Sequence, residues 1–276
     1  MKGNHSAAFG KLERNDSGML SAWHPLIDHL IDVATCFTRL CRCRSIRRAM
    51  EQAAGRAISE QDVARLAVLV FLHDLGKANS GFQAKRWFPE RAPPGWPNPA
   101  GHGLEATKLF TDDAFLQPLV ARLPVDTICS WGEAVEPLLK ASISHHGRPI
   151  IENAADWNRA IWKPVSGSDG RTVYDPAPVL EQIGQGACEL FPEAFASGGE
   201  PLPDAPAFGH LFAGLVQLAD WLGSDTTFFR FSAVGENRAK TAAGYADRAV
   251  LSLDLDPDGL RAVLETSAPS FHQTFG

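Results

Sequence analysis

The stretch that decides the fold is Leu66-Ala-Val-Leu-Val-Phe-Leu-His-Asp-Leu-Gly-Lys77. Its first seven residues are apolar, which predicts a central helix buried on nearly every side. An imidazole and a carboxylate, His73 and Asp74, follow directly, and Gly76 is a typical helix stop. Burying an unpaired carboxylate is costly, so the pair needs strong partners, and a metal ion suits both side chains.

Apolar residues recur at three- and four-residue steps through much of the chain, which predicts an all-α fold. Ser59 and Asp62 form a capping-box pattern, with Asp in place of the usual Glu or Gln, at the start of the central helix. Further helices are expected from Pro25, from about Gly103, from Glu133 to Ser144, and over residues 208–223. Pro and Gly residues indicate loops at 89–101 and 147–178. Strands and helices do not alternate.

Composition narrows the class of protein. The chain has 276 residues, of which 45% are hydrophobic, and a formal net charge of −6. A free-standing, non-specific nucleic-acid binder usually has a basic face, so a polyanionic substrate would need a partner or metal ions to hold it. The five cysteines are scattered and do not suggest a disulfide framework. We see neither a signal peptide nor a stretch that spans a bilayer, and we expect a cytoplasmic protein without membrane partners.

Other ionisable residues occupy positions like those of His73 and Asp74, at predicted helix ends or on helix faces. They are His29, His102, His145, His146 and Asp220. Each has an ordinary explanation when taken singly, since a histidine on an apolar face is often only hydrogen-bonded and Asp220 could pair with an arginine. The whole set of five imidazoles and two carboxylates favours a metal site.

The residue types indicate two divalent transition-metal ions. Imidazole suits Mn, Fe, Co, Ni and Zn, whereas a site built for Mg alone would be richer in oxygen ligands. We therefore expect Mn, Fe, Co or Ni rather than Mg. Asp74 is the natural bridging ligand because a carboxylate has two oxygens. Two metals about 4 Å apart can hold a phosphodiester and activate water.

The ordered motifs resemble the HD phosphohydrolase superfamily, and more closely the HD nuclease domain of the helicase-nuclease of type I CRISPR systems. The matching strings are Pro25-Leu-Ile-Asp-His-Leu-Ile-Asp-Val-Ala34, His73-Asp-Leu-Gly-Lys77 with Phe82-Gln83 behind it, His102 before Glu105, Ser144-His-His-Gly147 and Ala219-Asp-Trp-Leu-Gly-Ser224. They extend over about residues 25–225, and the Ser-His-His-Gly and Ala-Asp-Trp segments favour the nuclease branch.

The resemblance implies an HD-domain helical bundle with a di-metal centre between helices. One metal would be held by His29, His73, Asp74 and Asp220, and the other by His102, His145 and His146, with Asp74 between the two. The implied activity is metal-dependent cleavage of single-stranded DNA. In the family, a superfamily-2 helicase supplies a strand displaced by the RNA-guided surveillance complex.

The chain carries no Gly-x-x-x-x-Gly-Lys-Ser/Thr phosphate loop, so the helicase is expected in trans or in a longer protein from which this chain is cut. We favour the second possibility, because the tail Ser270–Gly276 is weakly patterned and fits a connector. We divide the chain into an irregular arm at 1–20, an HD nuclease domain at 21–232, and a C-terminal helical extension or connector toward a helicase at 233–276.

Several residues around the predicted metals have both a functional and an ordinary interpretation. Lys77, proposed as catalytic together with Asp74, could neutralise phosphate charge, or could simply be a lysine favoured by a helix C-terminus. Ser224 could contact a phosphate or cap a turn. Arg44, Arg47 and Arg48 could guide DNA, or form a solvated helix face.

The aromatic and cysteine residues are less informative. Trp96, Trp131, Trp157 and Trp162 are candidate base-stacking platforms, whereas Trp221 is expected in the core. Cys36, Cys41 and Cys43 lack the paired Cys-x-x-Cys spacing of a structural zinc site.

Two other functions remain open on the sequence alone. An HD phosphohydrolase of nucleotides or cyclic nucleotides would have similar metal ligands but a closed pocket. A non-catalytic, metal-stabilised docking module would bind metal without turnover. The complete ligand set gives no sign of a decayed site.

Overall fold

A computed structural model of the chain describes residues 7–110, 115–147, 150, 158–233, 236–255, 270 and 272. Helices dominate these residues, which confirms the prediction of a helical fold. The α-helices are α1 (Leu26–Cys41), α2 (Arg44–Ala54), α3 (Glu60–Phe71), α4 (Ser80–Gln83), α5 (Gly103–Leu109), α6 (Gln117–Val120), α7 (Val125–Cys129), α8 (Val135–Ile143), α9 (Pro176–Leu190), α10 (Pro206–Ser224) and α11 (Arg238–Ser252). Two antiparallel hairpins add β1 (Phe9–Arg14) with β2 (Leu20–Pro25), and β3 (Val165–Ser166) with β4 (Thr172–Tyr174).

Helix α1 lies at the centre of the bundle and packs against α3, α10 and α11. A close approach of α1 and α10 depends on Gly223, since a Cβ there would lie 3.0 Å from backbone and side-chain atoms of Val33. A side chain at this position would force the two helices apart by a few tenths of an ångström. His29 and Asp220 lie about one turn from this contact on their own helices, so the helix packing brings the two predicted ligands together.

Helix α3 begins as predicted but ends earlier. The Ser59 Oγ accepts a hydrogen bond from the Asp62 N–H at 3.0 Å, and Asp62 Oδ2 accepts one from the Ser59 N–H at 2.8 Å, which completes the capping box. The expectation that Gly76 ends this helix is wrong: the helix ends at Phe71, and a 3₁₀ turn follows at Leu75–Ala78. The apolar pattern runs past the helix because the turn itself is buried.

The irregular arm expected over residues 1–20 is wrong for the part that the structure describes. Residues Phe9–Arg14 form β1 and pair with β2. The strand is held by a tertiary contact, because the Gln83 side chain accepts from the Phe9 N–H and donates to the Phe9 carbonyl, both at 2.9 Å. Such an anchor 74 residues away leaves no strand pattern in the local sequence.

The segment 147–178, expected to carry little regular structure, contains the short β3–β4 hairpin and the first residues of α9. The Tyr174 hydroxyl donates a hydrogen bond to the Ala78 carbonyl, which ties this hairpin to the turn after His73 and Asp74. Residues 148–149 and 151–157, including Trp157, lie outside the described residues.

The C-terminal extension begins with α11, which packs on α1 and buries Ala242, Ala246 and Ala249. Arg238 Nε and Nη2 donate to Asp32 Oδ1 and Oδ2 at 2.6 and 2.8 Å, in a fully buried pair. Most of the tail proposed as a connector lies outside the described residues. Within the part of the chain that the structure describes, no helix has the length and apolar character needed to cross a membrane.

Candidate metal centre

The predicted ligands meet where five segments converge. His29 comes from α1, His73 and Asp74 from the turn after α3, and Asp220 from α10. His102 immediately precedes α5, and His145 and His146 follow α8. The fold thus brings together residues up to 191 positions apart in one site, while their role as ligands stays a prediction.

Four of these residues form a buried cluster, defined as His29, His73, Asp74 and Asp220. One ligand atom of each lies within 4.8 Å of the others. Asp74 Oδ2 is 2.9 Å from His29 Nε2 and 3.2 Å from His73 Nε2. Asp220 Oδ1 faces the same two nitrogens at 3.8 and 3.7 Å. Two imidazoles and two carboxylates around one small space are a donor set that suits a divalent transition metal.

The other three form a rim cluster, defined as His102, His145 and His146, whose ligand atoms also lie within 4.8 Å of one another. His102 Nε2 is 3.0 Å from His146 Nε2. His146 is exposed and His145 is buried, so this cluster reaches the surface. Two nitrogens turned toward each other and toward a third favour a shared cation.

Asp74 lies between the two clusters. Its Oδ2 faces His29 and His73, and its Oδ1 is 3.2 Å from His102 Nε2 and 3.8 Å from His145 Nε2. The carboxylate therefore presents one oxygen to each cluster. This is the arrangement that a bridging ligand requires.

Backbone carbonyls orient two of the imidazoles. His73 Nδ1 donates to the Val70 carbonyl at 2.8 Å, and His145 Nδ1 donates to the Ser142 carbonyl at 2.9 Å. A carbonyl can only accept, so each Nδ1 carries a hydrogen, and Nε2 is the nitrogen of each ring that can bind a metal. Metal-binding histidines are typically oriented in this way.

Buried polar atoms without hydrogen-bond partners support a cation at this position. Within the described residues, neither His73 Nε2 nor Asp74 Oδ1 makes a hydrogen bond, although both are buried. Proteins rarely leave buried polar atoms unsatisfied, and a bound ion would satisfy both of these atoms at once. The residues present therefore fit a metal centre.

Burial keeps most of the imidazoles neutral. It lowers the pKa of His29 well below its usual value and lowers the pKa of His102 and of His145 to about 4. A neutral imidazole is the form that binds a metal. These three side chains are therefore ready to bind a metal near pH 7.

The carboxylates and His73 behave differently. Burial opposes ionisation of Asp74 and Asp220, but nearby positive charges outweigh it. Lys77 and His73 lower the pKa of Asp74, and His73 lowers the pKa of Asp220, so both values fall below the usual range. Burial likewise opposes protonation of His73, yet Asp74 and Asp220 raise its pKa to about 9. Metal binding at the buried cluster would therefore release a proton from His73.

Comparison with known proteins agrees with the helical fold. The family model for the HD domain of Cas3 matches residues 9–229, which is most of the chain. The chain belongs to the Cas3 HD domain family. The match begins at β1, so the family pattern includes the hairpin that local sequence patterns did not predict.

This Cas3 HD domain is similar to a curated protein and to several solved structures. It is 28% identical over 229 residues to the CRISPR-associated endonuclease/helicase Cas3 of Thermus thermophilus, covering 76% of this chain but only 22% of that protein. The Thermus thermophilus Cas3 HD domain, crystallised in the presence of Ni²⁺, matches with a TM-score of 0.50 and 26% identity over 83% of this chain and 85% of its own. A chain from a CRISPR RNA-guided surveillance complex in a pre-nicking state has the same fold, with a TM-score of 0.54, 21% identity and coverage of 94% and 29%.

Lys77 and Ser224 both contact carboxylates of the candidate metal centre. Lys77 Nζ forms an ion pair with Asp74 and donates to the Gly10 carbonyl at 3.1 Å. The Ser224 hydroxyl donates to Asp220 Oδ1 at 3.0 Å. Ser224 thus orients the predicted ligand Asp220, and the sequence alone did not predict this contact.

The arginines proposed to guide DNA are less close to the centre. Arg47 donates to the Ile58 carbonyl at 2.7 Å and pairs with Glu60, at the beginning of α3. His73 follows the other end of α3, and the helix rise between its ends is about 17 Å. Arg44 and Arg48 lie on the same helix as Arg47 and are exposed.

Trp221 is not in the core as expected: its side chain is 70% exposed. Successive helix residues point about 100° apart, so turning Asp220 toward His29 and His73 turns Trp221 away. Trp131 and Trp162 are buried instead, and Trp96 is half-buried.

Sequence reasoning missed Lys11 on β1. Its Nζ donates to the Ser224 carbonyl at 2.7 Å. Burial, opposed by Asp220, lowers the pKa of Lys11 to about 8. To find Lys11 from the sequence, one would first have to predict strand β1, and the residues of β1 show no recognisable strand pattern.

Proposed function

We propose that this Cas3 HD domain is a metal-dependent nuclease that cleaves single-stranded DNA in type I CRISPR interference. The observation that carries the proposal is the position of Asp74, with one oxygen toward the buried cluster and the other toward the rim cluster. A shared carboxylate between two groups of imidazoles is typical of two-metal phosphodiester hydrolysis.

The residues of the two clusters would bind the metals, and the residues beside them would orient a ligand or neutralise charge. The buried cluster would hold one divalent metal and the rim cluster the other, through the Nε2 atoms of His73 and His145 and the carboxylates of Asp74 and Asp220. When bound, two such ions supply Lewis-acid activation of water and neutralisation of phosphate charge. Ser224 fixes Asp220, and Lys77 brings a positive charge beside Asp74 where a phosphate would bind.

Donor chemistry favours Mn, Fe, Co or Ni over Mg. Three of the four proposed ligands of the rim metal are imidazoles, and Mg prefers oxygen ligands. The related Thermus thermophilus HD domain has a crystal structure in the presence of Ni²⁺.

A DNA strand would approach the metal centre from the side of the rim cluster. His29 and His73 have no exposed surface, whereas the His102 side chain is 16% exposed and His146 is open to solvent. We propose that a superfamily-2 helicase, in the same polypeptide or in a separate one, supplies the strand, and that the RNA-guided surveillance complex recruits both. The curated relative, described as an endonuclease/helicase, supports a link of this kind.

The test is cleavage of circular single-stranded DNA by the purified chain with Mn²⁺, Co²⁺ or Ni²⁺. Asp74→Asn should lower the rate at least about a hundredfold, because it removes the shared charge. Asp204→Asn, at an exposed aspartate away from both clusters, should cleave like the wild type. Undiminished cleavage by the Asp74 variant would refute the proposal.

The same preparations distinguish the other candidate functions. Rapid hydrolysis of mononucleotides or cyclic nucleotides with DNA left intact would favour a nucleotide phosphohydrolase. Full metal occupancy without any turnover, even with the helicase added, would favour a docking module.

A further inference from the structure

A second lysine lies beside the metal centre on the strand that covers it. Strand β1 packs directly on α1: a Cβ at Gly10 would lie 2.8 Å from the His29 Cβ. The Gly10 carbonyl accepts from Lys77 Nζ, and Lys11 follows Gly10 in the chain. The two lysines are therefore attached to neighbouring points of one strand.

The anchoring of β1 makes the position of Lys11 definite. Gln83 hydrogen-bonds both backbone polar groups of Phe9, and its Nε2 also donates to the Lys77 carbonyl at 2.8 Å. One amide thus ties the strand to the segment that carries Asp74. This buried contact holds the strand from which the Lys11 side chain extends, and the Ser224 carbonyl holds its Nζ.

Lys11 itself reaches toward Asp220. Its Nζ donates to the Ser224 carbonyl, and the Ser224 hydroxyl donates to Asp220 Oδ1. An ammonium group has three N–H donors, and the Ser224 carbonyl accepts from one of them. Lys77 pairs with Asp74 on the other side, so each carboxylate of the buried cluster has a lysine near it.

We infer that Lys11 binds a phosphate group at the metal centre, where its ammonium contacts a non-bridging oxygen on the Asp220 side while Lys77 serves the Asp74 side. This deepens the proposed function and rests on it, since it assigns a phosphate-binding residue to the same site. An ammonium–phosphate contact is a charge-assisted hydrogen bond and is stronger than a neutral one.

The alternative is that Lys11 only caps the C-terminal end of α10. Lys11→Gln separates the two roles, because the glutamine amide keeps an N–H donor, on a side chain one bond shorter, but carries no charge. Lys11→Arg keeps the charge. Lys140→Gln is the matched control: Lys140 lies on α8, is 54% exposed and pairs with Glu136 on the surface.

The experiment is calorimetric titration of inorganic phosphate into the Ni²⁺-loaded protein, with nickel content and thermal unfolding measured on each variant. Lys11→Gln should weaken phosphate binding about tenfold, the loss expected for one charged hydrogen bond. Lys11→Arg should stay within about threefold of the wild type. Lys140→Gln should bind as the wild type does, and nickel content should not change.

Three results would overturn the inference. They are phosphate affinity unchanged in Lys11→Gln, an equal loss in Lys140→Gln, or a wild type that binds no phosphate. A fall in unfolding temperature with unchanged affinity would identify Lys11 as a structural cap.

DNA cleavage by the wild type is scored separately. Phosphate binding that depends on Lys11 without DNA cleavage would refute the nuclease and leave the Lys11 site intact. Cleavage with unchanged phosphate affinity in Lys11→Gln would refute the Lys11 site alone.

Discussion

Two histidines of this centre, His102 and His145, are held in the neutral form at a cost in stability. His102 and His145 lose most of their access to water, and burial lowers the pKa of each to about 4 from an ordinary 6.5. An unfolded chain would protonate both residues in mildly acidic solution. The folded, metal-free domain therefore resists protonation in the range in which its unfolded form accepts protons.

This difference predicts that the metal-free domain loses stability as the pH falls from 6.5 to about 4. The unfolded state binds more protons in this range, so the free energy of unfolding decreases, by at most about 3 kcal/mol for each histidine. His73 does not offset the loss, because its raised pKa adds stability that is already complete below pH 6.5 and is lost as the pH rises through about 9.

Urea unfolding in the presence of a chelator at pH 6.5 and 5 measures the effect. His145→Gln should reduce the pH dependence, whereas His210→Gln, at a histidine of α10 outside both clusters, should leave it unchanged. A free energy of unfolding that is flat or rises on acidification would contradict the assignment.

At the scale of residues, the sequence was sufficient to predict which histidines and aspartates meet at this centre, while their role as ligands stays a prediction. It was insufficient to predict the side chains around them. Histidines and aspartates at the ends of apolar helices are conspicuous because burying them is costly. The position of Lys11 was not predictable, because it depends on a contact with Ser224, more than 200 residues away. The role of Ser224 was not predictable either, because it depends on the rotamer that turns its hydroxyl toward Asp220.

At the scale of elements, the turn after α3 and the residue before α5 are packed with no free space. A Cβ at Gly76 would lie 1.9 Å from the His102 carbonyl oxygen and 2.8 Å from its carbon. Both are backbone atoms, so a side chain at position 76 must displace His102. The absence of a side chain at Gly76 keeps Asp74 and His102 in the same site.

Gly76→Ala should therefore lower the stability by about 1–3 kcal/mol, as overpacking does, and weaken Ni²⁺ binding at the rim cluster more than at the buried cluster. Gly209→Ala is the control, since a Cβ at this helical glycine meets no atom within 4 Å. Urea unfolding and calorimetric Ni²⁺ titration measure the two effects. Wild-type stability and metal stoichiometry in Gly76→Ala would contradict this role.

Elements differed in how far the sequence could predict them. The start of α3 was predictable because Ser59 and Asp62 satisfy each other locally. The end of α3 and strand β1 were not, because a buried turn continues the apolar pattern and Gln83 anchors the strand from a distance.

At the scale of the whole molecule, the bundle brings scattered residues together in two adjacent clusters of predicted ligands. The close contact between α1 and α10 and the hairpin over α1 bring the buried cluster together, and α5 and α8 add the rim cluster. The chain spans 22% of the length of the curated Cas3 relative. What we propose for this chain concerns its metal centre alone: Asp74 binds two metals.

The sharing of Asp74 is tested by a crystal structure of the Ni²⁺-loaded domain with anomalous scattering at the nickel edge, supported by elemental analysis of the same protein. We expect two nickel ions per chain, one bound by His29, His73 and Asp220, the other by His102, His145 and His146, and both bonded to Asp74. A single ion, or two ions of which only one contacts Asp74, would contradict it.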